Sequence, residues 1–247
     1  MALDAFPRRS VRVDPPPRES PIRYAPSVRP DGRVRMLCHL PPDLSARYAS
    51  LVGALAPSVE RRLHPGVIAN RVGPGPSTML EPWPLARARL RRALRSIGRP
   101  GRGTIVVRSD VRECYASITR GSVADAVARL GAPDAVRALL AMLDRFHAYG
   151  GEGLPIGPEA SAVLANAVLA AGDRAIAATG VPHVRWVDDV LIFATGRDDA
   201  RRAFDAWRRS LEEVGLEANS AKTTIDTDPR WLGRWATSPL APPSGVR

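Results

Sequence analysis

The sequence predicts an α+β fold with helices on one face of an antiparallel sheet. Three observations lead there. Strand-like and helix-like stretches are mixed along residues 101–235 in an order that suits such a sandwich. Two apolar stretches, 184–187 and 190–194, flank Asp188-Asp189 and read as a hairpin with two acids at its tip. The 247 residues are 45% hydrophobic and 25% charged, enough apolar mass for a real core and far from a disordered composition.

The elements follow in order. Residues 1–30 are rich in Pro and Arg, with Pro15, Pro16 and Pro17 in a row, and read as a flexible or extended arm. Residues 34–40 are strand-like, and a helix starts near Asp43. A Gly/Pro loop at 73–76 breaks regular structure. Residues 84–97 predict a helix with Leu85, Leu90, Leu94 and Ile97 on one side, while Arg87, Arg91, Arg92 and Arg95 cover much of the rest. That basic face suits solvent and nucleic acid equally. Residues 31–100 thus form one compositional region and 101–235 a second. In the second, a β-branched strand at 104–108 runs into Asp110. Helices are predicted at 122–130, with a Ser-x-x-Asp start, and at 133–147, 159–178 and 198–214. Residues 223–226 read as an edge strand and 236–247 as a tail, and no internal repeat is present.

The formal net charge is +11 and the pI about 11.0. Such a balance points to a polyanionic partner, usually nucleic acid, although an Arg-rich composition by itself gives the same number. Cys38 and Cys114 belong to no CxxC pattern and read as reduced structural thiols. His39, His64, His147 and His183 lack zinc-ligand spacing. The first 20 residues have no apolar core, and the mild apolar run at 160–179 contains Asn166, Asp173 and Arg174. The expectation is a cytoplasmic protein with no membrane contact.

Two adjacent carboxylates at a hairpin tip repel each other, and a cation relieves that cost. Asp110 ends a different strand. Three carboxylates from two strand ends can hold two divalent cations about 4 Å apart for in-line phosphoryl transfer. Mg2+ fits, since it prefers carboxylate and phosphate oxygens. The plain alternative is an Asp-Asp turn.

Several motifs then resemble those of reverse transcriptases, in the family's order. Asp110 followed five positions later by Tyr115 resembles the first motif. Gly153-Leu-Pro155-Ile156-Gly157-Pro-Glu-Ala-Ser161, with Asn166 beyond it, resembles the second. Trp186-Val-Asp188-Asp189 resembles the third, and Gly215 to Lys222 the fourth. Trp231-Leu232-Gly233 resembles the fifth, the primer grip. The resemblance covers about 31–235, and its second motif is closest in form to the bacterial abortive-infection and defence-associated members. Ile156 stands where many retroelement enzymes have Gln, Trp186 replaces the usual Tyr or Phe, and Asp173 suits the defence set.

The resemblance implies a polymerase right hand, with fingers at 31–100 and palm at 101–235. Asp110, Asp188 and Asp189 become ligands of two Mg2+ or Mn2+ ions. Tyr115 becomes a steric gate under the nucleotide sugar, with a core tyrosine as its alternative. Gly153, Pro155, Gly157, Ser161 and Asn166 form the loop and helix start under the nucleotide. Arg35, assisted by Arg33, reaches the triphosphate, with Arg71 as a weaker fingers candidate. Lys222 is the sole lysine of the chain and falls in the fourth motif. Unlike Arg, Lys can give up a proton, as protonation of a pyrophosphate leaving group requires.

The implied activity is RNA-directed DNA polymerisation from dNTPs on an RNA template, from a nucleic-acid or protein primer. The few residues after Trp235 predict an absent or vestigial thumb, with a partner protein, an oligomer or a non-coding RNA as the clamp. Three alternatives remain open at this stage: a degenerate polymerase fold that binds RNA, an RNA-dependent RNA polymerase, and template-independent or protein-primed synthesis.

Overall fold

The structure, a computed structural model, describes residues 22–28, 32, 34–73, 79–97 and 104–227. The expected arm ends earlier than its composition suggests, because Arg23–Val28 forms a strand, β1. It pairs antiparallel with β2, Val34–His39, from Arg23 opposite His39 to Val28 opposite Val34. Pro26 is tolerated in β1 because this two-stranded sheet leaves each strand an open edge.

Helix α1, Pro42–Glu60, follows, and α2 spans Trp83–Ile97. Then come β3 (Ile105–Ser109), the short α3 (Cys114–Ser117), α4 (Arg120–Val127), α5 (Pro133–Ala148) and α6 (Glu159–Ala177). Strands β4 (His183–Trp186) and β5 (Asp189–Ala194) form the predicted hairpin. Helix α7 (Arg197–Glu213), a 3-10 turn (Ser220–Lys222) and β6 (Thr224–Asp226) close the described chain. The start of α4 differs from the sequence reading. Its cap is Thr119, whose side chain accepts from the Ser122 amide, so Ser122 lies inside the first turn.

The second sheet has the order β4-β5-β3-β6, all antiparallel, with β6 on the edge as expected. Residues 66–68 extend it beyond β4: the Arg185 amide donates to Gly66 O at 2.8 Å and the Ile68 amide to Arg185 O at 2.9 Å. One face carries Ile105, Val107, Val190, Ile192 and Ala194 into a core cluster with residues of α1, α5, α6 and α7. Burying each such Val, Leu, Ile or Phe side chain is worth roughly 1.5–3 kcal/mol.

The other face is covered as well, which corrects the expectation of helices on one face alone. Val106, Val184, Trp186, Leu191 and Phe193 pack with Ala86 and Leu90 of α2. Burial of successive residues at 105–107 of β3 and 190–194 of β5 is the signature of a sheet enclosed on both sides there. Leu85, expected on the apolar side of α2, is 49% exposed, because Ala86 and Leu90 set the contact line.

Helix α6 runs through the core. By length and composition it could cross a membrane, but 72% of that stretch is buried within the protein, so it is the core helix. Gly172 lets α7 come close, since a Cβ there would stand 2.9 Å from Trp207 Cδ1.

Candidate active site

Ser109 pairs with Val190, so Asp110 and Asp189, the next residues along each strand, continue that register at the sheet's end. The β4–β5 turn is Val187-Asp188, closed by the Trp186–Asp189 pair. Val187 sits at φ 60°, a region that β-branched residues seldom enter. The surrounding structure must therefore hold this turn.

Residues 217–219 run antiparallel to 110–112. The Arg112 amide donates to Glu217 O and the Asn219 amide to Asp110 O, each at 2.8 Å. Val111 and Ala218 form the bridge between them. The 3-10 turn then brings Lys222 back, and its Nζ donates to Asp110 Oδ2. The Ser109 and Thr223 hydroxyls bond at 2.7 Å beside it. Four chemistry-bearing residues thus converge from three separate stretches of chain.

Asp110 is 4% exposed, and its Oδ1 is buried without a hydrogen-bond partner. Asp188 and Asp189 are half-buried. Burial, then the charges of Asp189 and Asp110, push the Asp188 carboxyl up to about 6, against the smaller pull of Lys222. Arg108 stands 3.8 Å from Asp189.

An orphaned carboxylate oxygen beside two further acids suits a divalent cation, and all-oxygen donors suit Mg2+ or Mn2+. The residues present therefore fit the ions. Among the described residues, no three Asp, Glu, His or Cys side chains are already gathered into a ligand set, and Lys222 occupies one Asp110 oxygen.

Other expected residues surround this centre. Tyr115, half-buried, accepts at its carbonyl from the Leu154 amide at 2.8 Å. Gly153 has φ 60°, and a Cβ there would fall on the carbonyl oxygens of Tyr115 and Ala116. Pro155 is buried and Gly157 exposed. The Cys38 amide donates to Ile156 O at 2.8 Å, which ties β2, and with it the half-buried Arg35, to the same loop. Backbone bonds therefore run continuously from β2 through 154–156 to Tyr115.

Two expected nucleotide contacts lie elsewhere. Ser161 is fully buried and bonded to the Tyr48 hydroxyl at 3.1 Å. Asn166 is 2% exposed, and its amide nitrogen donates to Ala69 O and Asn70 O. Arg71 makes a structural clasp, bonding Glu60 at 2.6 Å and the carbonyls of His64 and Val67. Arg33, Trp231, Leu232 and Gly233 lie outside the described residues.

Residues 30–235 match the family of reverse transcriptases (RNA-dependent DNA polymerases). The chain belongs to this family. The reverse transcriptase fold also appears in solved structures. Apo telomerase from Candida tropicalis, truncated from its C-terminal domain, superposes with a TM-score of 0.51 at 12% identity, covering 83% of this chain and 49% of that one. Telomerase from Candida albicans in complex with a TWJ fragment of telomeric RNA gives 0.53 at 13% identity, covering 83% and 41%. At such identities the likeness is one of fold, and the chain spans about half or less of each telomerase chain. Comparison with curated protein sequences gives no match.

Sequence reasoning about this reverse transcriptase missed Arg185, which is 1% exposed and pairs with the fully buried Asp173. Burial pulls Asp173 upward, but the Arg185 charge and the hydrogen bonds from His183 and Arg185 together outweigh it and hold the carboxyl at about 2. The available signal was a lone Arg in an apolar strand and a lone Asp in an apolar helix, since buried charges occur in pairs.

Proposed function

We propose that the chain is an RNA-directed DNA polymerase that transfers nucleotides from dNTPs to a primer 3′-hydroxyl on an RNA template. The observation that carries this reading is the convergence of Asp110, Asp188, Asp189 and Lys222, with one buried Asp110 oxygen left unpartnered. The three carboxylates would hold two Mg2+ or Mn2+ ions, which when bound polarise the attacking hydroxyl and neutralise the leaving pyrophosphate. Lys222 Nζ, parked on Asp110 Oδ2, is the proton donor for that pyrophosphate. Tyr115 limits the room beside the sugar and favours dNTPs. Gly153, Pro155 and Gly157 shape the floor beneath the base, and Arg35 reaches the triphosphate. Ser161 and Asn166 act from behind, through Tyr48 and the 69–70 backbone.

The template and primer lie along the acid-bearing face of the sheet. Strand alternation puts Arg108 and Asp189 on the same face as Val106 and Leu191, the face that α2 covers further down. There Trp83, Pro84, Arg87 and Arg91 line a cleft of about 320 Å³, suited to a sugar–phosphate backbone. The Pro155-Ile156-Gly157-Pro158 form supports a bacterial defence setting.

Extension of a primed RNA template with dNTPs against rNTPs, with Asp188→Asn as control, tests the reading. Dependence on dNTPs, template and Asp188 is expected. Incorporation that survives Asp188→Asn removes the assignment. RNA binding with no incorporation makes the protein a binding module, and incorporation without template makes it a terminal or protein-primed synthase.

A further inference from the structure

A buried polar assembly lies behind the β4–β5 turn, on the face of the sheet that packs against α6. Arg185 projects from β4 toward α6. Its Nε donates to both oxygens of Asp173, at 2.9 and 3.2 Å, and its Nη2 donates to Oδ2 at 2.7 Å. Its Nη1 donates to Asn166 Oδ1 at 2.9 Å and to the carbonyl of Val187 at 2.5 Å. Asn166 in turn donates to Asn70 O at 2.9 Å and Ala69 O at 3.2 Å. One guanidinium therefore joins α6, the 66–70 segment and the tip of the hairpin.

The bond to Val187 O matters most. That carbonyl belongs to the peptide unit leading into Asp188, so fixing it fixes the plane from which Asp188 departs. Val187 lies at φ 60°, where a β-branched residue does not rest unaided. A guanidinium has a rigid planar fork, so a hold on Asp173 on one side dictates where Nη1 points on the other. A buried ion pair alone explains little here, because apolar replacements of such pairs are often as stable. The contact with the turn carbonyl is what an apolar pair cannot supply.

We infer that Arg185, aimed by Asp173 and Asn166, is a positioning residue that holds the Val187–Asp188 turn from behind and thereby sets the catalytic placement of Asp188. The reading rests on the polymerase assignment for its effect on turnover, but its geometric half does not.

The test uses the whole chain in two variants. Arg185→Lys keeps the charge on Asp173 but has no second arm for Val187 O. Asp173→Leu with Arg185→Met replaces the pair by apolar groups, so neither of the two charges is left buried alone beside His183, which stands 3.6 Å from Asp173. Hydrogen exchange of amides 187–189 is measured against those of α6, together with single-turnover incorporation and primer–template affinity. In both variants, tip exchange is expected to rise about tenfold or more with α6 unchanged, and incorporation to fall about tenfold to a hundredfold with affinity within about twofold. Wild-type exchange at the tip in a folded variant overturns the inference, as does exchange that rises equally throughout α6. If the unsubstituted chain incorporates nothing, the polymerase reading fails, and the exchange measurement still decides whether Arg185 holds the turn.

Discussion

At the scale of single residues, the acid cluster carries opposing demands. Asp188 titrates near 6 rather than at the ordinary 3.8 because burial and two neighbouring carboxylates disfavour its charge. Below 3.8 the folded and unfolded chains both carry it neutral, and the cost is absent; above 6 it is fully present. Asp188→Asn should therefore stabilise the ion-free protein at pH 7.5 by about 1–2 kcal/mol, and hardly at all at pH 3.5. Urea midpoints in chelator at the two pH values check this, and the same variant should lose incorporation. Lys222 poses a different question, since Arg can replace its charge but not its proton transfer. Lys222→Arg should slow single-turnover incorporation about tenfold to a hundredfold while leaving template affinity unchanged. Equal rates for the two proteins would remove the proton-donor role.

At the scale of elements, glycines decide how closely the functional pieces approach. Gly172 on α6 admits the Trp207 ring of α7, and nearby Asp173 anchors Arg185. A larger side chain there wedges the helix pair apart. Gly172→Val should cost about 1–3 kcal/mol, read as a lowered melting temperature. The helices were legible because their apolar periodicity is strong: α5, α6 and α7 begin and end within a residue or two of the expected positions. The role of α2 was not, because its small contact residue Ala86 looks unremarkable beside Leu85, which in fact points outward. The strand β1 was hidden by Pro and Arg composition, and only its pairing with β2 makes it a strand.

At the scale of the whole molecule, two faces of one sheet divide the work. The face toward α6 and α7 holds the core and the Arg185–Asp173 pair; the opposite face carries the acids and, further down, the basic helix α2. With a net charge of +11, nucleic-acid affinity should depend strongly on salt. Arg91, exposed on α2, is expected to contribute one phosphate contact. Arg91→Ala should then weaken RNA binding at low salt and reduce the slope of log affinity against log salt by about 1, with melting temperature unchanged. An unaltered slope in a titration series would take α2 out of the interface.

The sequence alone pointed to the proposed chemistry: the order and spacing of the Asp, Gly and Lys motifs single out the candidate groups, because each motif is short and local. It also determined the hairpin, since two apolar runs and an acidic tip are read within a dozen residues. Tertiary structure alone decided what stands behind the tip. Asp173, Asn166 and the 69–70 backbone come from distant stretches, and nothing local to Arg185 shows that its guanidinium reaches all of them and the Val187 carbonyl as well. Contacts of that kind depend on how α6 lies against the sheet, which is a property of packing across the whole core.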